Sequence, residues 1–203
     1  MQSQRHTVVT DPVLVAAHAC VMDVGLRRTT LADIARRAGV SRMTVYRQFP
    51  DLLAIVSALL TQELLALLET ARGQTAGLPT ARERLVEVGA LLVERLVRHP
   101  LYRRVLDVDP ELLLPLVVDR FGSTQRAAIE LVAELVAEGV RDGSIRDVDP
   151  HLAATCLMLT AQSFVFSARV VEAETAPGDA ARELRRLFEG YLAPGPGAAG
   201  ARV

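Results

Sequence analysis

The 203-residue sequence has no tryptophan and no lysine, two cysteines, three tyrosines and five phenylalanines. Cys20 and Cys156 both lie in apolar helical patterns, which suits reduced core thiols and excludes a disulfide-stapled secreted scaffold. No His/Cys/carboxylate group has metal-ligand spacing, so no metal or other cofactor is expected. A Gly-rich phosphate loop, a nucleophile elbow and a His-x-x-x-His pair are all missing, and an enzyme is not expected. No uncharged apolar run approaches the ~20 residues that span a bilayer. The N-terminus shows no export signal, so a cytoplasmic protein without a membrane partner is expected. With lysine absent, arginine carries all 23 basic side chains; that reads as a GC-rich coding bias and not as a site.

What is present is aliphatic. Half of the residues are hydrophobic, chiefly Leu, Val and Ala, enough to bury a sizeable core. No strand alternation persists, whereas helical periodicity persists almost throughout, so the expected class is all-α with nine to ten helices. Helix one opens at Asp11-Pro12, a carboxylate cap followed by proline, and turns Val13, Leu14, Ala17, Val21 and Val24 inward. Helices two and three follow between Thr30 and Phe49. Pro50-Asp51 opens a long fourth helix to about Arg72. Thr80 and Glu83 form a capping box for the fifth, which runs to His99. Pro100 starts a short sixth, and Asp109-Pro110 a further short piece ending at Gly122. Ser123 caps a seventh to Asp142-Gly143. Asp149-Pro150 opens an eighth to about Glu174, and the last runs from Asp179 to Leu192. The expected organisation is a flexible arm over 1–10, a helical head over 11–56, a helical body over 57–193, and a disordered Pro/Gly/Ala tail over 194–203.

Charge is uneven. The net charge is −1, yet residues 1–60 hold seven arginines against four acids, while the remainder holds sixteen against twenty. A cationic front on an anionic body directs DNA to one face. Within that front, Thr30 caps a short helix whose Leu31, Ile34, Ala35 and Ala38 repeat at helical spacing. Asp33, three residues after the cap, is placed to bond back to free backbone N–H groups. Gly39 stands where a helix stops in a left-handed residue, Val40 plugs the turn, and Ser41 caps the next helix. In that helix Val45 and Phe49 face inward, and Arg42, Met43, Thr44, Tyr46, Arg47 and Gln48 spread outward. Two helices across a short glycine turn make a helix-turn-helix, whose second helix enters the major groove.

The runs Leu31-Ala-Asp-Ile-Ala, Ala38-Gly-Val-Ser and Thr44-Val-Tyr-Arg-Gln-Phe, in register over about twenty positions, resemble the TetR family of transcriptional regulators. The close resemblance covers roughly the first sixty residues. Further on, the phrase Glu138-Gly-Val-Arg-Asp-Gly-Ser-Ile-Arg-Asp-Val-Asp-Pro resembles the family's connection into its penultimate long helix. The resemblance implies a homodimeric DNA-binding regulator, a repressor released from a pseudo-palindromic operator by a small effector. A TetR-like activator, or a helical protein-interaction module without effector response, is the alternative. It places Arg42, Met43 and Thr44 against bases or the adjacent backbone. It also places Tyr46, Thr30 and Ser41 at phosphates; Arg47 reaches either phosphate or base. Two positions depart from the family pattern. Gln48 replaces a histidine and can still donate to a phosphate, without charge. Leu52 replaces a lysine near the start of helix four, so one phosphate contact per half-site is expected to be missing, with Arg47 as the compensating residue.

In the body, the resemblance implies a small-molecule pocket, for which Tyr102, Arg103, Leu106, Leu113, Phe121, Met158 and Phe166 are the candidate lining, and whose aliphatic walls suit an apolar effector. The last two helices offer the best self-association surface: Leu152, Cys156, Leu159 and Ser163 on one, Leu184, Leu187, Phe188 and Tyr191 on the other. The second stripe fits an intramolecular core as readily.

Overall fold

A computed structural model describes residues 11–108, 121–176 and 178–195. Among the described residues there are ten helices and no strand: α1 (Pro12–Val24), α2 (Leu31–Ala38), α3 (Arg42–Gln48), α4 (Leu52–Thr75), α5 (Ala81–Arg98), α6 (Pro100–Val108), α7 (Ser123–Asp142), α8 (Pro150–Phe166), α9 (Ala168–Glu174) and α10 (Asp179–Leu192). The expected arm over 1–10, the short piece starting at Asp109-Pro110 with Leu113, and the tail beyond Gly195 lie outside the described residues.

Local chemistry starts most of these helices. The Asp11 carboxylate accepts from Val13 N–H at 2.8 Å with Pro12 at the first helical position. Asp51 accepts from Ala54 N–H and Asp149 from Leu152 N–H, each at 2.7 Å. Thr80 and Glu83 close a reciprocal capping box at 3.2 Å in both directions. Each satisfies a donor that a helix N-terminus otherwise leaves unpaired.

The helices bury their apolar faces in connected clusters. Val13, Ala17, Cys20, Ile34, Val45 and Ile55 form the core of α1–α4 at the N-terminal end. Val21, Leu26, Val56, Leu59 and Leu60 join α1 and α4 to Leu101 and Val105 of α6. The largest cluster holds Leu64, Leu85, Val93, Val136, Leu157, Leu184 and Phe188 from α4, α5, α7, α8 and α10. α4 is long and apolar enough to cross a membrane by length and composition. Its apolar residues are instead spent in these clusters, through Ile55, Val56, Leu59, Leu64 and Leu68.

The α7–α8 connection caps a neighbour. Asp142 Oδ2 accepts from Ala81 N–H at 3.1 Å and Ser144 Oγ from Arg82 N–H at 3.2 Å, so two first-turn donors of α5 are satisfied from sixty residues away. Burial pulls the Asp142 carboxyl upward, but the Ser144 hydroxyl and the Ala81 and Ser144 N–H groups outweigh it and hold it below its ordinary value. A Cβ on Gly139 would lie 2.3 Å from Ile145 Cδ1, so only glycine lets Ile145 fold back onto α7. Arg146 then donates from Nε to Tyr191 O at 2.8 Å, with its guanidinium 4.7 Å from the Tyr191 ring centroid, which ties the loop to the end of α10.

Several expectations are corrected. Val24 is 48% exposed, because α1 ends there and its inward stripe stops at Val21. α4 extends to Thr75, since neither Gly73 nor Gln74 breaks its hydrogen bonding. Ser123 is the first helical residue of α7 and Gly122 its cap, with the Gln125 side chain accepting from Gly122 N–H. The single long helix expected over 150–174 is broken at Ser167, where α8 and α9 meet at 65°. No proline or glycine marks that break. Thr160 and Ser163 hydroxyls bond back to the Cys156 and Thr160 carbonyls just before it, a habit that loosens a helix, and Ser167 sits at φ −91°, ψ 6°.

On α10, Leu184, Phe188 and Leu192 recur every fourth residue and face the interior, so Leu184 and Phe188 belong to the core and not to a surface. Phe188 lies flat enough on α5 that a Cβ on Gly89 would be 2.5 Å from its ring. Leu187 is one position off that stripe and stays 51% exposed. Truncating Phe188 to alanine is expected to lower the unfolding free energy by ~3–5 kcal/mol. Met43→Ala, on the open surface, should stay within ~0.5 kcal/mol in the same urea titrations.

Candidate nucleic-acid interface and body cavity

α2 stops in a Schellman motif. Gly39 sits at φ 68°, ψ 25°, its N–H reaching Arg36 O at 3.3 Å while Val40 N–H reaches Ala35 O at 3.1 Å. Nothing lies within 4 Å of where a Gly39 Cβ would be, so conformation and not space demands the glycine. Val40 packs on the Ile34/Ala35/Val45 cluster and holds the turn down. Ser41 then caps α3: Oγ accepts from Thr44 N–H at 3.1 Å and is 2.8 Å from the Thr44 hydroxyl.

α3 is fastened on one side only. Val45 is fully buried and Phe49 half-buried on the same cluster. Arg42, Met43, Tyr46, Arg47 and Gln48 are exposed and Thr44 is half-buried, so the outward set expected from the sequence shares one open face. The two N-cap hydroxyls differ. Thr30 accepts from Asp33 N–H at 3.1 Å and donates to the Asp33 carboxylate at 2.6 Å, so its proton is already committed. The Ser41/Thr44 pair spends one hydroxyl proton between its members and keeps the other for a ligand.

The expected return bond from Asp33 to the Thr30 backbone N–H contributes least to holding the carboxylate; side chains dominate. The carboxylate takes the Thr30 hydroxyl and the Arg36 guanidinium, which in that order hold it below its ordinary value. Arg37 pairs with Asp23 of α1, which raises the guanidinium pKa. Asp11 and Asp51 serve as helix caps. All four acids of the first sixty residues are therefore engaged. Among the described residues, Arg42 and Arg47 make no ion pair or hydrogen bond, and both stand on the exposed face of α3.

In the body a cavity of about 170 Å³ lies among α4, α5, α6, α7, α8 and α10. Tyr102, Met158 and Phe166 line it, as do Leu64, Val93 and Phe188. Arg103 points to solvent, Leu106 packs against the main body cluster and the α1–α4–α6 cluster, and Phe121 sits with Met158 at the edge of α7, so these three are not in its wall. Tyr102 donates to Leu60 O at 2.9 Å, and burial, with the Glu63 charge adding to it, pushes its hydroxyl pKa above the ordinary value. Sequence reading missed Ser57, Thr124, Gln125 and Gln162, the polar part of the wall. Polar residues inside a mainly apolar helix were the available signal.

Of the expected self-association residues, Leu152, Leu159 and Ser163 are exposed along α8, Cys156 is half-buried between them, and Leu187 is exposed and Tyr191 half-buried on α10. Phe166 and Val170 continue the exposed apolar line onto α9.

Residues 13–59 match the family model of bacterial regulatory proteins, tetR family. An uncharacterised HTH-type transcriptional regulator of Mycobacterium bovis is 37% identical over 180 residues, covering 89% of this chain and 92% of that protein. The chain belongs to the TetR family. The fold agrees along its length: the TetR-family transcriptional repressor QsdR of R. erythropolis superimposes with a TM-score of 0.70 at 18% identity, covering 89% of this chain and 93% of that one. FadR of Bacillus subtilis, solved in complex with stearoyl-CoA, does so with a TM-score of 0.59 at 17% identity, covering 89% and 98%. As a TetR-family regulator it binds DNA, and the paired and unpaired arginines should differ on it. Arg47→Ala is expected to reduce the slope of log K against log salt by ~1, as one phosphate contact less requires. Arg37→Ala, already neutralised by Asp23, should leave that slope nearly unchanged in filter-binding titrations.

Proposed function

We propose that the protein is a cytoplasmic homodimeric repressor that releases a pseudo-palindromic operator when a small apolar effector enters the body cavity. The observation that carries the DNA-reading part is the isolation of Arg42 and Arg47 on the exposed face of α3, in a head whose acids are all spoken for. Arg42, in the first turn, takes the base-reading role, since a guanidinium paired with guanine O6 and N7 is the commonest specific major-groove contact. Met43, 77% exposed beside it, offers a surface for a thymine methyl. Thr44, Tyr46, Gln48 and Ser41 serve phosphates, and Arg47 either a phosphate or a base. Thr30 joins them only by giving up its bond to Asp33.

Dimerisation is assigned to the partly exposed line Leu152, Cys156, Leu159 and Ser163 of α8 with Leu187 and Tyr191 of α10. One head reads one half-site, and a two-fold axis supplies the second. α4 supports the effector response: it gives Ile55 to the core beneath α3 and Leu64 to the cavity wall, so a ligand that moves α4 moves the head.

Selection of bound duplexes from random DNA should return a two-fold symmetric site with half-sites about one helical turn, or a multiple, apart; asymmetric or unselective recovery overturns the reading. Arg42→Ala should cost ~1–3 kcal/mol and relax preference at one base pair per half-site. Equal weakening on all sequences would instead make Arg42 a backbone contact.

A further inference from the structure

Among the described residues, the cavity wall contains no aspartate, glutamate, arginine or histidine. Its polarity comes from amides and hydroxyls gathered where α4, α7 and α8 meet. The protons of these groups can be followed one by one. The Tyr102 hydroxyl proton is used on Leu60 O. The Thr124 hydroxyl lies 2.5 Å from the Thr61 hydroxyl and 3.4 Å from Ser57 O, so it bridges α7 to α4.

The two glutamines have a fixed direction. The Gly122 backbone N–H can only donate, and it is 2.7 Å from Gln125 Oε1. That contact decides which end of the Gln125 amide is oxygen, so its Nε2 must be the donor in the 2.8 Å bond to Gln162. Gln162 therefore accepts through Oε1, and its own Nε2, carrying two N–H groups, is left without a partner among the described residues. A backbone amide thus sets the sense of a relay that ends in a donor at the cavity wall.

We infer that the effector is a neutral molecule, a hydrocarbon bearing a carbonyl-type acceptor that takes the Gln162 Nε2 hydrogen bond; this rests on the proposed effector role of the cavity. A carboxylate could accept the same bond, but with no cation among the described lining residues its desolvation is uncompensated. An ammonium group would meet a donor and is excluded twice. A plain alkane fills the aliphatic part and leaves the amide unpaired. A dry aliphatic cavity of ~150 Å³ is known to hold a six-carbon ring, so a chain of about seven carbons suits the volume here.

The test is calorimetric titration of the full-length protein with 2-heptanone, octane, heptanoate and heptylammonium at neutral pH. The ketone should bind ~10-fold tighter than octane, the worth of one net hydrogen bond, and both ions should be weaker still. Gln162→Leu should erase the preference for the ketone over octane. Gln162→Glu, which keeps the acceptor facing Gln125 and replaces the donor by an anion, should weaken the ketone and strengthen heptylammonium by at least ~10-fold, a gain that a misfolded variant would not produce. Heptanoate binding as tightly as the ketone, or Gln162→Leu preserving the ketone's advantage, overturns the carbonyl assignment while leaving an apolar effector site in place. If none of the four binds, the effector role of the cavity falls with it.

Discussion

The structure turns on one shared helix. α4 is anchored at its start by the Asp51 cap, packs Ile55 beneath the DNA-reading turn, passes Val56, Leu59 and Leu60 through the junction with α6, and delivers Leu64 and Leu68 to the body. Hydrophobic burial is non-directional and scales with area, so a continuous apolar helix is the simplest way to make two cores out of one element. The cost is that neither core can shift along that helix without disturbing the other. The effector response proposed above would use that coupling.

The DNA-reading half was legible because its determinants are local. Thr30, Gly39, Val40 and Ser41 act within five residues of themselves, through caps and a left-handed turn whose chemistry is set by residue type. Val45 and the outward face of α3 followed from helical spacing alone. The pairings were not legible: Arg37 finds Asp23 across fourteen residues, and nothing in the sequence announces that partner. Which arginines remain available to a ligand is a tertiary fact.

The body was less readable for a different reason. A leucine facing a cavity and a leucine facing another leucine obey the same periodicity, so Leu106 and Met158 could not be told apart by pattern. The α10 stripe failed in the same way, since Leu184 and Leu187 are both apolar and only packing against α5 says which is interior. The break at Ser167 had no proline or glycine to announce it. The polar relay through Gly122, Gln125 and Gln162 depends on a Gln125–Gln162 bond spanning thirty-seven positions, a contact made by the meeting of α7 with α8.

α10 shows opposite characters on its two sides. Phe188 is a wall of the cavity, wedged against Gly89, while Leu187, the neighbouring residue, faces outward on the line proposed for a second copy. The Phe188 ring sits directly over Gly89, so a guest that displaces it acts on the helix that carries it. Filling the interior and gripping a twin subunit would then draw on one rigid body. By thermodynamic reciprocity, a guest that loosens the grip must itself be held less tightly by the paired form than by the separated one.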